Sequence, residues 1–391
     1  MKVLFVSGEF PPMQGGVGDY TREIGLALRD LGNEVHVATS TQAAPVNGLS
    51  VHPVVERWSW GCWSILLDLV RQHRPDVVHV QYQAAAYAMH PAINFWPRRL
   101  RLLGADRPGS VVTFHDLKVP YLFPKAGRVR WWVILALARW SDAVIVTNAE
   151  DLETLAPYPL SPAPYLIPIG SNIEPAPTAG YDRNAWRARW GVGPEDILLS
   201  YFGFLNESKG GEALIQALDG VVKKGYRARL LMVGGKWGSS DPTNVAYAQW
   251  VEALINELGL SERVMWTGYT PQEEVSANLL ASDICVLPYR DGASFRRGSF
   301  MAALVHGLPI VTTAPNVQHS SSLPSLRDGE NVLLVPPDDA AALAKAIVRL
   351  ADSPELRQRL GQGAKEMSKA FGWDSIAEKT LEVYRAIRLR P

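Results

Sequence analysis

The sequence predicts an α/β protein with two Rossmann-like domains facing each other across a cleft. Short β-branched runs alternate with helical patterns along the whole chain, from "VLFV" at residue 3 to "NVLLVP" at residue 331. Unbroken apolar strands spaced by helices indicate parallel sheets covered on both faces. The pattern restarts after a Pro/Gly-rich connection, "EPAPTAGYDRNAWRARWGVGPED". A chain of 391 residues also suits two cores better than one.

The domain boundary is predicted near residue 175. The first domain would occupy 1–175 and the second 176–373. In open parallel sheets, ligands bind outside the carboxyl ends of the strands. The active site is therefore expected at those strand ends, in the cleft.

The composition excludes several classes of protein. Lys plus Arg equals Asp plus Glu at 39 each, so no global charge attracts nucleic acid. Cys62 and Cys285 fit neither a disulfide framework nor a metal-ligand spacing, which suits buried thiols in a reducing cytoplasm. The start of the chain lacks the apolar region of a signal peptide and is interpreted as a first strand. No apolar run has the roughly 18 to 20 residues that span a bilayer.

Two glycine-bearing turns lead from a strand into a helix. In "PPMQGGVGDY", Gly15 and Gly16 would let backbone N–H groups approach a phosphate or sugar closely. In "YFGFLNESKGGEAL", Lys209 stands just before the glycines and could neutralise a diphosphate. The alternatives are a strand-to-helix turn without a ligand and an exposed loop lysine.

A third candidate is the end of the strand "VVTFHD". His115 there could hydrogen-bond substrate hydroxyls, with Asp116 fixing its tautomer. The alternative is a histidine at the edge of the core that bonds only to backbone. His79, in "VVHVQ", is a weaker case of the same kind.

The loop "DGASFRRGS" precedes an apolar helix and places cations at its start. Gly298 and Ser299 would offer unpaired N–H groups at the positive end of the helix dipole, and Arg296 and Arg297 would add full charges. The predicted ligand is a phosphate. The alternative is a pair of solvated surface arginines.

Residues 125–140, "KAGRVRWWVILALARW", combine arginines with tryptophans. One interpretation is a helix docked at a membrane interface. The other interpretation is a buried helix, because apolar residues in its middle cover almost the whole circumference of the helix. Trp58, Trp60 and Trp63 could likewise stack on a glycan or lipid-linked acceptor or pack in the core.

Over nearly its whole length the chain resembles the family-4 retaining glycosyltransferases, which have the type B fold of two Rossmann-like domains. The matching segments are "PPMQGGVGDYTREIGLALRDLGNEVHVAT", "PDVVHVQ", "VVTFHD", "SDAVIVTNAED", "LIPIGSNI", "YFGFLNESKGGEALIQAL", "RVMWTGYTPQEEVSANLLASDICVLPY", "HGLPIVTT", "DGENVLLVPPDD" and "FGWDSIAEKTLEVYRAI".

The resemblance implies a nucleotide-diphosphate sugar donor, a UDP-sugar being favoured, bound mainly to the C-terminal domain. It implies an acceptor bound by the N-terminal domain, no metal or other cofactor, and a final helix, 374–391, that crosses back to the first domain. The acceptor would be a hydroxyl of a glycan or lipid-linked molecule in polysaccharide or glycolipid assembly. The expected location is the cytoplasm, or the inner face of the membrane if residues 125–140 dock there.

Functional residues carry over by motif. Gly16 resembles the glycine whose N–H approaches the diphosphate, His115 the histidine that contacts the transferred sugar, and Lys209 the diphosphate lysine; the backbone around Tyr269 resembles the segment that contacts the nucleotide base. The predicted donor-binding residues are Gly15, Gly16, Gly203, Phe204, Lys209, Tyr269, Asp291, Arg296, Arg297, Gly298 and Ser299. The predicted acceptor-binding residues are Asp19, Tyr20 and Asp116. No residue is assigned to a metal.

Three positions depart from the family pattern. Phe204 stands where the family has a diphosphate-binding arginine, and Ser294 and Ala302 stand where it has two glutamates. Asp291 could replace the first glutamate if the loop shifts. We expect Arg296 and Arg297 to compensate for the lost arginine.

The resemblance implies retention, with front-face attack by the acceptor hydroxyl. Arg297 and Lys209 would stabilise the charge on the departing β-phosphate, and that phosphate would take the acceptor proton while His115 orients the sugar. These three residues are the predicted catalytic set. Two alternatives stay open: a catalytically inactive partner of another transferase, and an epimerase or phosphorylase on the same fold.

Overall fold

A computed structural model of the chain describes residues 1–13, 15–117, 127–235, 242–315 and 323–388. The chain divides into two compact units. The first comprises residues 1–170 together with 371–391, and the second comprises residues 171–370. The division falls at 170/171, where the sequence predicted a boundary near 175.

The first unit contains a sheet of seven parallel strands in the order β3-β2-β1-β4-β5-β6-β7. Their bounds are β1 (Lys2–Ser7), β2 (Glu34–Ser40), β3 (Ser50–Val55), β4 (Val77–Tyr82), β5 (Gly109–Phe114), β6 (Ala143–Val146) and β7 (Tyr165–Leu166). Along β1, Leu4 and Val6 lie in one core cluster whereas Val3 and Phe5 lie in the other. Both faces of the strand are buried, which explains its unbroken apolar sequence.

Helices cover both faces of this sheet. They are α1 (Gly16–Asp30), α2 (Cys62–His73), α3 (Trp96–Arg101), α4 (Gly127–Trp140), α5 (Ala149–Leu155) and the carboxyl-terminal helix (Trp373–Arg388). The cluster around Leu4 takes side chains from α2, α3 and α4. The cluster around Val3 takes side chains from α1 and from the carboxyl-terminal helix, including the fully buried Tyr384. The last helix of the chain therefore completes the core of the first unit.

The second unit repeats the arrangement with six parallel strands in the order β10-β9-β8-β11-β12-β13. The strands are β8 (Ile197–Phe202), β9 (Ala228–Val233), β10 (Val264–Trp266), β11 (Ile284–Leu287), β12 (Ile310–Thr313) and β13 (Leu333–Val335). The helices are α6 (Arg183–Arg189), α7 (Gly211–Lys223), α8 (Pro242–Glu257), α9 (Gln272–Ala281), α10 (Gly298–Val305), α11 (Ala340–Asp352) and α12 (Pro354–Ser368).

The Pro/Gly-rich connection is anchored in the second unit. Arg187 of α6 is only 4% exposed, donates to the Asp196 carbonyl at 2.7 Å and forms an ion pair with Asp283 at 2.9 Å. The indoles of Trp186 and Trp190 both donate to Asn278 Oδ1. The second half of this segment is thus a packed element of the second unit rather than a free linker.

The two cysteines are buried and unpaired, as the sequence predicted. Within the described ranges, no helix combines the length and apolar character that crossing a membrane requires.

Each sheet reverses its strand order beside its first strand, between β1 and β4 in the first unit and between β8 and β11 in the second. Ligands of open α/β sheets bind at the carboxyl ends of the strands next to that reversal. The loops after β1, β8 and β11 are therefore the parts of the fold where a ligand site is expected.

Candidate functional site

In the second unit, helix α10 begins with open backbone donors. Arg297 is its N-cap residue and provides no side-chain cap. In the described part of the chain, the N–H groups of Gly298 and Ser299 have no hydrogen-bond acceptor. A Cβ placed on Gly298 would meet no atom within 4 Å. This helix start therefore combines unpaired donors with open space, which together favour an anion.

Lys209 points from the turn after β8 toward this helix start. Its Nζ lies 3.1 Å from the position a Cβ on Gly203 would occupy, and Ser299 Cβ lies 3.9 Å from that position. Gly203 has φ +115°, a conformation that favours glycine. Burial, and to a smaller extent the charge of Arg297, lower the pKa of Lys209 to about 8. Among the described residues, no carboxylate pairs with Lys209.

Arg297 is held in place beside Lys209 by two contacts. Its guanidinium lies 4.2 Å from the centroid of the Tyr289 ring and forms an ion pair with Asp291. The Tyr289 hydroxyl and Ser299 Oγ are hydrogen-bonded at 2.7 Å. Arg297 Nε is buried and lacks an acceptor among the described residues. Of the two adjacent arginines, Arg297 is the one whose charge acts on Lys209.

Asp291 is the predicted replacement for the first of the two glutamates in the family pattern. In the structure its carboxylate forms an ion pair with Arg297 and neutralises part of the cationic charge. Neither predicted glutamate position carries an acid: Ala302 is fully buried in the core, and the Ser294 carbonyl accepts the Arg297 N–H at 3.1 Å. Asp291 thus acts on Arg297 in this structure.

Three other predicted donor residues have distinct environments. Phe204 is 42% exposed, and its carbonyl accepts the Tyr201 hydroxyl at 3.2 Å. Tyr269 is 78% exposed and follows β10, which lies two strands from β8. Arg296 is half-buried, and its backbone N–H lies 3.5 Å from Ser294 Oγ. Among the contacts described above, none connects Phe204, Tyr269 or Arg296 to the group formed by Lys209, Arg297 and Ser299.

In the first unit, the start of α1 is occupied by a carboxylate of the chain itself. Glu9 Oε1 accepts the N–H groups of Val17 at 3.1 Å and Gly18 at 3.4 Å. A Cβ on Gly15 would overlap the Glu9 carboxylate, so a larger residue there would displace that carboxylate. Burial raises the pKa of Glu9, and the two N–H groups partly offset the effect. Gly16 is exposed with open space around it.

His115 is held by Gln81 at the end of β5. Its Nε2 lies 2.9 Å from Gln81 Oε1, so with this amide orientation Nε2 donates and Nδ1 is an acceptor. Burial lowers the pKa of His115 to about 3, so the ring is neutral at physiological pH. The Tyr20 ring meets it edge-on at 4.6 Å. The sequence predicted Asp116 in the tautomer-fixing position, but Gln81 occupies it.

The acceptor residues predicted from sequence differ in exposure. Asp19 is half-buried, and its pKa is raised chiefly by burial. Asp116 is half-buried. Tyr20 is only 3% exposed and belongs to the core beneath His115 and Trp373. The buried Tyr20 ring supports His115, and acceptor contact by Tyr20 stays a prediction.

The weaker histidine candidate is a core residue. His79 is 1% exposed, and its two ring nitrogens pair with the Tyr384 hydroxyl at 2.6 Å and Thr113 Oγ1 at 2.8 Å. Two of the singled-out tryptophans, Trp58 and Trp63, use their indole N–H groups to bind backbone carbonyls. These contacts assign His79, Trp58 and Trp63 to the scaffold.

Two family profiles match the chain. The one described as "Glycosyltransferase Family 4" covers residues 14–174, and the one described as "Glycosyl transferases group 1" covers residues 196–353. The chain belongs to the group 1 glycosyltransferases. This membership confirms the resemblance drawn from the sequence motifs.

Curated relatives of this glycosyltransferase include two named D-inositol 3-phosphate glycosyltransferase. The one from Streptomyces coelicolor is 29% identical over 348 residues, which are 80% of this chain and 70% of the relative. The one from Streptomyces griseus is 29% identical over 269 residues, 63% of this chain. That match spans only 54% of the relative's length.

Solved structures confirm the type B fold of this glycosyltransferase. Sucrose-phosphate synthase from Thermosynechococcus elongatus superposes with a TM-score of 0.73 at 22% identity, over 99% of both chains. Anabaena HepE in complex with UDP-glucose superposes with a TM-score of 0.72 at 17% identity, over 99% of this chain and all of the other chain. At such identities the likeness establishes the fold alone.

Proposed function

We propose that the protein is a retaining glycosyltransferase that moves a sugar from a nucleotide-diphosphate sugar, a UDP-sugar being favoured, to a hydroxyl acceptor. The observation that carries this proposal is the open start of α10 beside Lys209 and Arg297. Family membership supports the same function.

The charges around α10 suit a diphosphate. Two cations and one carboxylate leave about one net positive charge, to which the helix start adds roughly half a charge. Lys209, with a pKa of about 8, is roughly 90% protonated at pH 7. Hydrogen bonds to charged groups contribute roughly 1.5–3 kcal/mol each. A few such bonds give the affinity that a nucleotide site requires.

The same groups would assist departure of the nucleoside diphosphate. Cleavage of the sugar–phosphate bond concentrates negative charge on the β-phosphate, so preorganised cations and N–H groups stabilise the transition state more than the bound substrate. Because Arg297 is already fixed on Tyr289, little reorganisation is needed. We assign no protein base: the departing phosphate takes the acceptor proton.

His115 acts as a neutral hydrogen-bonding group in this proposal. With Nε2 bound to Gln81, Nδ1 can accept a hydrogen bond from a hydroxyl of the transferred sugar, as the family resemblance implies. Its pKa of about 3 makes it a poor proton carrier at physiological pH. Asp19, in the first turn of α1, remains an acceptor-binding candidate.

The relatives suggest which substrates to try first. UDP-glucose is the ligand in one structural neighbour, and inositol 3-phosphate appears in the names of the curated relatives. Glycan and lipid-linked acceptors follow from the family resemblance. We propose that transfer requires no metal and no other cofactor, since Lys209 and Arg297 supply the charge that a metal would otherwise provide.

The first unit carries an aromatic surface suited to a lipid-linked acceptor. We define it as Trp60, Phe95, Trp132 and Trp140, whose rings form a chain of contacts through Phe95 with centroids 5.3–5.9 Å apart. Trp132 is 53% exposed and Trp60 49%. Arg98 lies 5.2 Å from the Trp140 ring. Exposed tryptophans with arginines suit a membrane interface. We propose peripheral membrane contact here; Lys125 and Ala126, part of the predicted segment, lie outside the described residues.

Thermal shift with UDP, GDP, ADP and CDP, with and without EDTA, tests donor binding. A ligand at about 100 times its dissociation constant adds roughly 2.7 kcal/mol to the free energy of unfolding. We expect a shift with UDP that EDTA leaves unchanged and that Lys209→Ala and Arg297→Ala reduce. Lys223→Ala and Arg290→Ala are matched controls, since both side chains lie in exposed ion pairs of the same unit.

Transfer is then tested with UDP-glucose and candidate acceptors, and the anomeric configuration of the product is determined by NMR. Retention supports the proposal, whereas inversion overturns it. If none of the four nucleotides raises the melting temperature, the alternative of a catalytically inactive partner is favoured. An epimerised donor, or a sugar phosphate formed with inorganic phosphate, would favour an epimerase or phosphorylase.

A further inference from the structure

Three histidines from three elements of the first unit meet in one cluster. His36 lies in β2, His52 in β3, and His73 is the last residue of α2. One ring nitrogen from each lies within 4.8 Å of the other two. The rings of His36 and His73 are 4.3 Å apart, and those of His52 and His73 are 4.7 Å apart. We name this group the histidine cluster.

The histidine cluster lies away from the strand ends where a substrate site is expected. His36 is the third residue of β2, near the amino end of that strand, and pairs in register with Ser50 of the edge strand β3. Because His36 and Ala38 alternate with Val35 and Val37, the His36 side chain faces the α2 side of the sheet. The cluster thus joins β2, β3 and the carboxyl end of α2.

The hydrogen bonding of the cluster is incomplete among the described residues. His36 Nδ1 and His52 Nε2 are 3.0 Å apart and share one hydrogen bond. His73 Nε2 is buried and has no partner. A buried polar atom without a partner costs roughly 1–3 kcal/mol. An unpaired imidazole nitrogen beside two others is the arrangement that a metal ion would satisfy.

A carboxylate supports the outer side of the cluster. Glu34 Oε1 lies 2.9 Å from His36 Nε2, so that nitrogen donates and the Nδ1 lone pair faces His52. Lys2 Nζ lies 3.1 Å from the same carboxylate oxygen. Histidines that bind metals commonly donate their second N–H to a carboxylate, which fixes the ring and raises its basicity. Glu34 is in that position.

We propose that His36 Nδ1, His52 Nε2 and His73 Nε2 bind one Zn²⁺, with water as the fourth ligand. Three imidazoles suit Zn²⁺ and related transition metals, whereas Mg²⁺ and Mn²⁺ prefer oxygen ligands. A tetrahedral site with bonds of about 2.0–2.1 Å needs ligand nitrogens about 3.3 Å apart. In the structure His36 Nδ1 and His52 Nε2 are 3.0 Å apart, and the three ligand nitrogens lie within 4.8 Å of one another. Metal binding would therefore require rotation of the rings to the tetrahedral spacing. The ion would tie the edge strand to α2 and leave sugar transfer independent of metal.

The test uses the full chain freed of metal by dialysis against a chelator. Co²⁺ is added as a spectroscopic probe, and the visible absorption of a four-coordinate complex is followed to saturation. We expect one equivalent to bind, with Zn²⁺ displacing it. We also expect Zn²⁺ to raise the melting temperature, and the rate of sugar transfer to be the same with and without Zn²⁺.

Variants separate the cluster from adventitious binding. His52→Gln and His73→Gln should each weaken Co²⁺ binding at least tenfold, and Glu34→Gln by about 10- to 100-fold. His90→Gln is the matched control, because His90 lies in the same unit outside the cluster, where its ring accepts the Ala92 N–H. Absence of stoichiometric binding to the native chain would overturn the proposal without reliance on any variant. Binding that His90→Gln weakens as much as His52→Gln would overturn it too.

Discussion

Helices α1 and α10 begin in similar ways, with a glycine at the first turn after a strand of a Rossmann-like unit, and yet they present opposite electrostatics. At α1, the Glu9 carboxylate accepts the N–H groups of Val17 and Gly18. At α10, the N–H groups of Gly298 and Ser299 are open. Two cations lie nearby, and one acid partly neutralises them.

The comparison teaches that glycine at a strand-to-helix turn does not by itself define an anion site. Gly15 lies against the Glu9 carboxylate, which a Cβ at this position would displace. Gly203 is required because its φ is +115° and Lys209 lies above it. The space at Gly15 is filled by a carboxylate, whereas the space at Gly203 is filled by the Lys209 ammonium group beside the start of α10. The charge of the neighbouring side chain therefore decides whether a helix start can bind an anion.

The largest expected effect is that of Lys209→Ala on nucleotide affinity. Loss of a charged hydrogen bond to the diphosphate costs roughly 1.5–3 kcal/mol, which corresponds to about a 10- to 150-fold larger dissociation constant for UDP. Calorimetric titration measures it. The control Lys223→Ala should leave the affinity unchanged, because that lysine forms an exposed pair with Asp219. Equal affinity of Lys209→Ala and the native protein would show that α10 is not the donor site.

The next effect concerns pH. The pKa of Lys209 in the free protein is about 8, below its ordinary value, and a bound diphosphate would raise it. The protonated lysine is therefore the binding form, so affinity for a UDP-sugar is constant below about pH 7.5 and falls up to tenfold per pH unit above about pH 8. Lys209→Gln should bind weakly and without this dependence. A native affinity that rises with pH would contradict the assignment.

Changes at the start of α1 are expected to alter the stability of the protein and not its affinity for UDP. Glu9→Ala removes the cap of α1 and should lower the free energy of unfolding by about 1 kcal/mol while UDP affinity stays within about twofold. Gly15→Ala should cost a similar amount by displacing the same carboxylate. The two changes act on one interaction, so the double variant should be less destabilised than the sum. Chemical denaturation measures all three, and strict additivity would argue against the assigned contact.

The smallest expected effect is an increase in UDP affinity. Asp291→Asn removes the partner that neutralises Arg297, so UDP affinity should rise by about two- to fivefold, in line with the roughly 0.5–1 kcal/mol of a partly exposed ion pair. Glu207→Gln is the control, since Glu207 pairs with Arg290 in an exposed position. Weaker UDP binding by Asp291→Asn would show that Asp291 positions Arg297 more than it neutralises it.

The fold could be predicted because each central strand is buried on both faces and therefore has an unbroken apolar sequence. The positions of Arg297 just before α10 and of Lys209 in the turn after β8 could also be predicted, because each depends on one local element. Their roles in donor binding stay predictions. Pairings between distant side chains could not be predicted. The acid at residue 9 gave no sign that it would fold back onto Val17 and Gly18.

The histidine cluster escaped prediction for a related reason. Its members are separated by 16 and 21 residues, which matches no metal-binding motif. They meet only because β2 pairs with β3 and α2 ends above that pair. Tertiary packing alone creates such a group.

Hydrogen exchange measured with and without UDP tests the central claim most directly, because it compares the two helix starts in one experiment. We predict that UDP slows exchange most at residues 298–301 of α10, and that residues 16–19 of α1 change much less. Strongest protection at residues 16–19, with none at 298–301, would contradict the account and assign the diphosphate to the helix start that Glu9 now occupies.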